Sequence, residues 1–343
     1  MSENVKLYSS ICSKIGAAML IFYSFYTVGT FVISIFFELS SALLDIDKLE
    51  LYIVYEILSA VIYFLSFSGA AFILRKLTKK SPCSKPIYTS FKINKWFWCS
   101  IVAIIAVNFT LSYVNMVMVS SISPSFANAI MSSGGSDMEG KPFAELVIYF
   151  VLSIISTAVV PAICEEYLFR GAILTNLLPF GKTTAILASA LLFGLMHQHP
   201  LQILYTTLMG VVIGYVYIKT KSIWACIILH FANNFITVLE EYLPLLTKLE
   251  WIDDVLDFSI MVLGAVALLL VFLKNDKEPS IEANGSFGVV YERGMDAEEY
   301  ELNIPTSQKI KLFFRPTVII FSAISLASMG LVLLAFLGPE MIL

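Results

Sequence analysis

Long uninterrupted apolar runs dominate this sequence, and a chain that carries several of them has few folds open to it. Stretches able to cross about 30 Å of hydrocarbon fall near 15–37, 52–74, 96–120, 144–164, 201–218, 222–240, 255–273 and 317–338, with a shorter run at 184–197. In lipid every backbone N–H and C=O must find its partner inside the protein, which restricts spanning segments to helices and closed barrels. The runs are continuous rather than alternating, so they read as helices. The expected fold is all-α, a polytopic transmembrane helix bundle of about eight to nine helices. Composition agrees: hydrophobic residues make up 58% and charged residues 14% of the chain, with a mean hydropathy of +0.83. No water-soluble surface of this size tolerates that balance.

Charge placement gives the orientation. Arg75, Lys76, Lys79, Lys80, Lys85, Lys92 and Lys95 crowd one connection, whereas the preceding one holds Glu38, Asp45, Asp47 and Glu50. The positive-inside rule then puts 75–95 and the N-terminus in the cytoplasm of a multi-pass protein of the cell membrane. Alternation from there puts 121–143, 198–200 and the acidic 240–254 outside, and 179–183, Lys219, Lys221 and 274–312 inside. The first apolar run is too long for a signal-peptide core and reads as a retained span. The resulting division is N-terminal membrane helices over 1–120, an outer loop over 121–143, a central helical core over 144–240, and C-terminal helices over 241–343. The last part contains a cytoplasmic linker at 274–312 with at most a short strand at 287–291. A net charge of -4 suggests no nucleic-acid partner. The five cysteines, without a CxxC pair, give neither a disulfide framework nor a thiolate metal site.

Against this background Glu165, Glu166 and Arg170 stand out, because they place two carboxylates and a guanidinium in an apolar run. Charge on a membrane helix usually faces the bundle interior and marks a pathway or a chemical site. The plainer alternative is an ordinary i,i+4 ion pair at a helix end. Histidine is scarce, and its positions sharpen the choice: His197 and His199 close the short apolar run, and His230 sits within the next long one. Asn234 follows His230 by one helical turn and shares its face. Counted from the cytoplasmic helix ends at about 1.5 Å per residue, Glu165, His197 and Asn234 lie roughly 20 Å deep and His230 roughly 14 Å. Three helices therefore deliver polar residues to one layer. Pro161 is expected to kink the fourth helix at that level and open space beside the carboxylates.

Glu165-Glu166-x-x-x-Arg170, Phe193-x-x-x-His197 and His230-x-x-x-Asn234, in this order on successive spans, resemble the three motifs of the CPBP family. That family comprises the type II CAAX prenyl proteases and the bacterial bacteriocin-processing or immunity (Abi) proteins. The resemblance covers roughly 144–240 and implies a catalytic core there. It implies an endopeptidase that cleaves a membrane-associated peptide or protein segment, such as a leader peptide or pheromone precursor. Hydrolysis of a peptide bond needs an activated water, a proton for the leaving amine and donors for the oxyanion. Matching the family pattern, Glu165 and His197 would activate water, His230 and Asn234 would form the oxyanion side, and Arg170 would hold Glu166. Phe193 reads as packing, Cys164 as an inert thiol in apolar surroundings, Asn233 as a helix–helix bonder and His199 as facing the outer boundary. A competing version makes Glu165, His197 and His230 ligands of a divalent metal such as zinc; the absence of an HExxH string tilts the reading toward metal-free water activation. A rival from another class is a non-proteolytic scaffold, an immunity protein or a proton-coupled transporter, since intramembrane Glu and His also build proton relays.

Overall fold

A computed structural model describes residues 2–43, 48–79, 140–249, 251–273 and 304–337, with short groups or single residues at 97–98, 101–102, 104–106, 110, 113–114, 117, 120–121 and 138. The fold is all-α. Its helices are α1 (Glu3–Leu43), α2 (Lys48–Leu77), α3 (Phe143–Phe180), α4 (Lys182–Met196) and α5 (Ile203–Thr220). They are followed by α6 (Ile223–Thr247), α7 (Ile252–Leu273), α8 (Thr306–Phe313) and α9 (Pro316–Leu337). Among the described residues six helices, α1, α2, α3, α5, α6 and α9, are long and apolar enough to cross a bilayer. The protein is a multi-pass membrane protein. The run expected at 96–120 is helical wherever it is described, while the short strand expected at 287–291 lies outside the described residues.

The apolar patterning explains the packing. Tyr8, Ile15, Met19 and Phe22 of α1 are buried with Phe67, Ala70 and Leu74 of α2, Phe180 of α3 and Phe321 of α9 in one continuous core. Phe25, Phe31, Phe64, Phe72 and Trp224 remain exposed, as a lipid-facing belt requires. Gly16 allows α9 to press on α1, because a Cβ there would lie 2.5 Å from the Val318 nitrogen. The contact is fixed by the Thr317 hydroxyl, which donates to the Ser13 carbonyl at 2.9 Å.

Two features of the core differ from the sequence-based expectation. Residues Thr306–Phe313, expected within a polar linker, form the short helix α8. Its buried residues Lys309 and Phe313 are one turn apart on one docking face, with Leu312 packed partly buried beside them. Directly before Pro161, where a kink is expected, α3 makes a π-helical turn, Ile154–Val159, in which the Val160 N–H reaches back to the Ile155 carbonyl. The extra residue in that turn absorbs the hydrogen bond that proline cannot make. A second π turn, Phe169–Leu174, follows the nine-residue α segment Val160–Leu168. There the Thr175 hydroxyl donates to the Arg170 carbonyl at 2.6 Å. Each inserted residue turns the face of α3 by about 100°, so the carboxylate segment is aimed separately from the helix on either side.

Helix α4 has 15 residues, about 22 Å at 1.5 Å each, which is less than a bilayer core. It starts from Gly181, whose φ of 116° favours glycine, and ends where Gln198 adopts φ 51°. The turn that joins it to α5 therefore lies within the bundle. Irregular backbone at such a level is tolerated where it lines a cavity, and His197, Gln202, Tyr205 and Thr206 do line one.

Candidate active site

A cavity of about 650 Å³ opens between α1, α2, α3, α5 and α6. Glu165, Phe193, His197, His230 and Asn234 all contribute to its wall, so residues from three separate motifs meet at one place. Glu166 and Arg170 stand behind that wall, and both are 0% exposed. The boundary ion pair is thereby replaced by a buried one.

Arg170 organises this inner layer. Its Nη1 donates to Glu166 Oε1 at 2.8 Å and its Nη2 to the Gly210 carbonyl at 3.0 Å. The guanidinium also lies 4.9 Å from the centre of the Phe193 ring, a cation–π distance. Gly210 is placed for this by close helix contact, because a Cβ on it would sit 2.9 Å from Cα of Ala190. Phe193 is in turn edge-on to His197 and His230, with centroids 4.9 and 5.9 Å away. Its role is packing, as expected, and the packing orients both imidazoles.

The hydrogen bonds of the imidazoles fix which nitrogen is left for the cavity. His230 Nδ1 lies 2.8 Å from Glu166 Oε1; an ionised Glu166, paired with Arg170, can only accept, so Nδ1 carries a hydrogen. Nε2 of His230 then lies 3.9 Å from Glu165 Oε2. His197 Nδ1 lies 2.8 Å from the Phe193 carbonyl and must donate to it, which leaves Nε2 with its lone pair. Glu165 is 3% exposed, and its Oε2 has no hydrogen-bond partner. A buried carboxylate oxygen without a donor is costly, and a bound water or substrate group would complete it.

Residues 147–236 match the family described as type II CAAX prenyl endopeptidase Rce1-like. The protein named "Putative membrane peptidase YdiL" of Bacillus subtilis (strain 168) is 34% identical over 102 residues, or 29% of this chain. The match spans 41% of that relative's length. No solved structure matches the chain.

Other sequence-based expectations for the site fare unevenly. Asn234 reaches the cavity, but its Nδ2 donates to the Thr157 carbonyl at 3.0 Å. Asn233, expected to bond between helices, lines the cavity as well and donates to Asn234 Oδ1 at 3.1 Å. His199 accepts from the Leu201 N–H at 3.3 Å within the α4–α5 turn. Cys164 is buried. Among the described residues no three His, Cys, Asp or Glu side chains converge as a cation site.

Tyr63 of α2 was invisible to motif reading, because a tyrosine on an apolar span carries no spacing signal. Its hydroxyl donates to Glu165 Oε1, and its ring is held against Phe67 and Tyr26 at 4.5 and 5.7 Å. Tyr63→Phe keeps the ring and removes only the donor. We expect kcat for peptide cleavage to fall roughly tenfold with KM unchanged, the loss of about 1.4 kcal/mol that one bond to a charged group supplies. Equal losses in the two parameters, or a lower melting temperature, would assign Tyr63 to packing instead.

Proposed function

We propose that this protein is an intramembrane endopeptidase that hydrolyses a peptide bond in a membrane-associated peptide or protein segment. The observation that supports this most directly is the unpartnered Oε2 of Glu165, set in a cavity wall opposite two oriented imidazoles. In this mechanism a water is held between Glu165 Oε2 and His197 Nε2, both acceptors. Glu165 takes a proton from it as its oxygen adds to the scissile carbonyl carbon, and the carbonyl π electrons move onto oxygen. His230, when it carries a hydrogen on both ring nitrogens, presents Nε2–H to that oxyanion, and Asn234 supplies the amide hydrogen that the Thr157 carbonyl does not take. Glu165 returns the proton to the nitrogen as the C–N bond breaks, leaving a carboxylic acid and an amine. Glu166, itself held by Arg170, accepts from His230 Nδ1–H and keeps Nε2 turned to the cavity. No step runs through a metal.

Leader peptides, pheromone precursors and segments of membrane proteins are the substrate types this reading favours. Comparative peptidomics of membranes carrying the wild-type or the Glu165→Ala protein tests it. Fragments present only with the wild type are expected, and the same purified protein should keep its activity through chelation and dialysis. Activity that returned only on addition of a stoichiometric ion would replace the mechanism. Proton flux in reconstituted vesicles with no cleavage of any peptide would replace the function.

A further inference from the structure

The cavity continues well beyond the residues that the proposed hydrolysis uses. On α6 the lining positions His230, Asn233, Asn234, Thr237 and Glu240 follow one helical face. On α2 they run from Tyr63 back through Ser59 to Glu56. At 1.5 Å per residue, Glu240 lies about 15 Å from the level of His230 and Glu56 about 10 Å from that of Tyr63. The two helix ends lie near one another, with Tyr52 of α2 close enough to both Glu56 and Tyr242 of α6 to interact electrostatically with them. Tyr52 also stacks edge-on against Tyr149 of α3 at 4.5 Å, closing the far end of the groove.

The far part of the groove carries carboxylates and no basic side chain. Glu56 and Glu240 line it there, the imidazoles of His197 and His230 stand with Glu165 at the catalytic end, and among the described lining residues there is no Lys or Arg. Its remaining wall is hydroxyl, amide and aromatic edge, from residues such as Tyr55, Ser156 and Gln202. The buried, partnerless Oε2 of Glu165 opens on the same space, an independent sign that the groove is completed by something it binds. A substrate's acidic side chain would enter against three carboxylates in a region of reduced dielectric, where like charges repel far more than in water. A basic one would be drawn to the two at the far end.

Resting on the endopeptidase reading, we propose that Glu56 and Glu240 form a specificity subsite for a Lys or Arg of the substrate. An extended peptide advances about 3.3 Å per residue. The 10–15 Å between catalytic floor and carboxylates places this basic residue roughly three to five positions from the scissile bond.

The test uses the full chain in phosphatidylcholine nanodiscs, so that lipid charge does not contribute. Labelled twelve-residue Ala/Leu peptides carry a single Lys, Gln or Glu one to six positions to either side of the central bond. Binding is read by fluorescence anisotropy on Glu165→Gln protein and cleavage on wild type. Lys three to five positions from the centre, on one side, is expected to bind about tenfold more tightly than Gln there, with Glu weakest. The preference should shrink to less than about twofold in Glu56→Gln/Glu240→Gln and turn toward the Glu peptide in Glu56→Lys. Equal affinity for Lys and Gln peptides at every position overturns the subsite with no substitution at Glu56 or Glu240. A Lys preference that survives the double substitution overturns the assignment to these two residues. Lys-selective binding with no cleavage sinks the peptidase reading and leaves the subsite standing; cleavage with no Lys preference does the reverse.

Discussion

Glu165→Gln is expected to lower peptide cleavage by about three to four orders of magnitude while leaving the helix bundle folded. Glutamine preserves the shape of the side chain and an oxygen for the Tyr63 hydroxyl to donate to, so the contact between α2 and α3 survives. What disappears is the group that can take a proton from water and return it to the amine. His197 can still orient a water and His230 can still face the carbonyl oxygen, which is why the loss is large and not total. The measurement is the single-turnover rate on a peptide identified by peptidomics, with melting temperature and gel-filtration profile as controls. A variant that kept a tenth of the wild-type rate would remove Glu165 from the chemistry.

The largest effect on stability is expected at Arg170. Its side chain is fully buried and meets Glu166, the Gly210 carbonyl and the Phe193 ring at once. Arg170→Met leaves the Glu166 carboxylate buried with His230 as its remaining polar neighbour, and removing one partner of a buried pair costs about 3–5 kcal/mol. We expect a melting temperature lower by roughly 10 °C or more in detergent, or failure to purify as a single species. The double variant Glu166→Gln/Arg170→Met separates the causes. With no charge left uncompensated, it should recover most of the stability, yet remain inactive because a neutral amide in place of the Glu166 carboxylate no longer stabilises positive charge on His230. A double variant as unstable as the single one would show that packing against Phe193, and not charge, carries the effect.

The sequence made the outline of this site legible for a physical reason: charged and imidazole side chains are so disfavoured in lipid-facing helices that each one present asks for an explanation. Glu165, His197 and His230 could be placed at a common level by counting helix rise alone, and they do share a cavity wall. The helical spacing that joined His230 to Asn234 also holds. What counting could not supply is rotation. The two π turns in α3 arise from the balance of backbone bonds around Pro161 and Gly171, and no residue pattern marks them, so the separate aim of the carboxylate segment had to come from the structure. The same limit hid Tyr63, Glu56 and Glu240, since a tyrosine or glutamate near the end of an apolar run is unremarkable until its helix is rotated into place. The helix α8 was obscured by the polar residues around it, because Lys309 and Phe313, with Leu312 beside them, carry its docking face.

The Glu166–Arg170 pair also bears on how such a chain enters a membrane. Both residues lie on α3, one turn apart, so the neutralising partner is synthesised four residues after the charge it neutralises. When α3 leaves the ribosome, α5 and α6 do not yet exist, and neither the Gly210 carbonyl nor His230 is available to share the load. A lone arginine at the centre of a nascent span costs about 2.5–3.5 kcal/mol in insertion; a helix that folds around its own ion pair presents far less net charge to lipid. The helix thus arrives nearly neutral, and the later spans add aim and acceptors to a charge pair already in place. On that order of events, Glu166→Leu should impair the insertion of α3 itself, before any active site has been assembled.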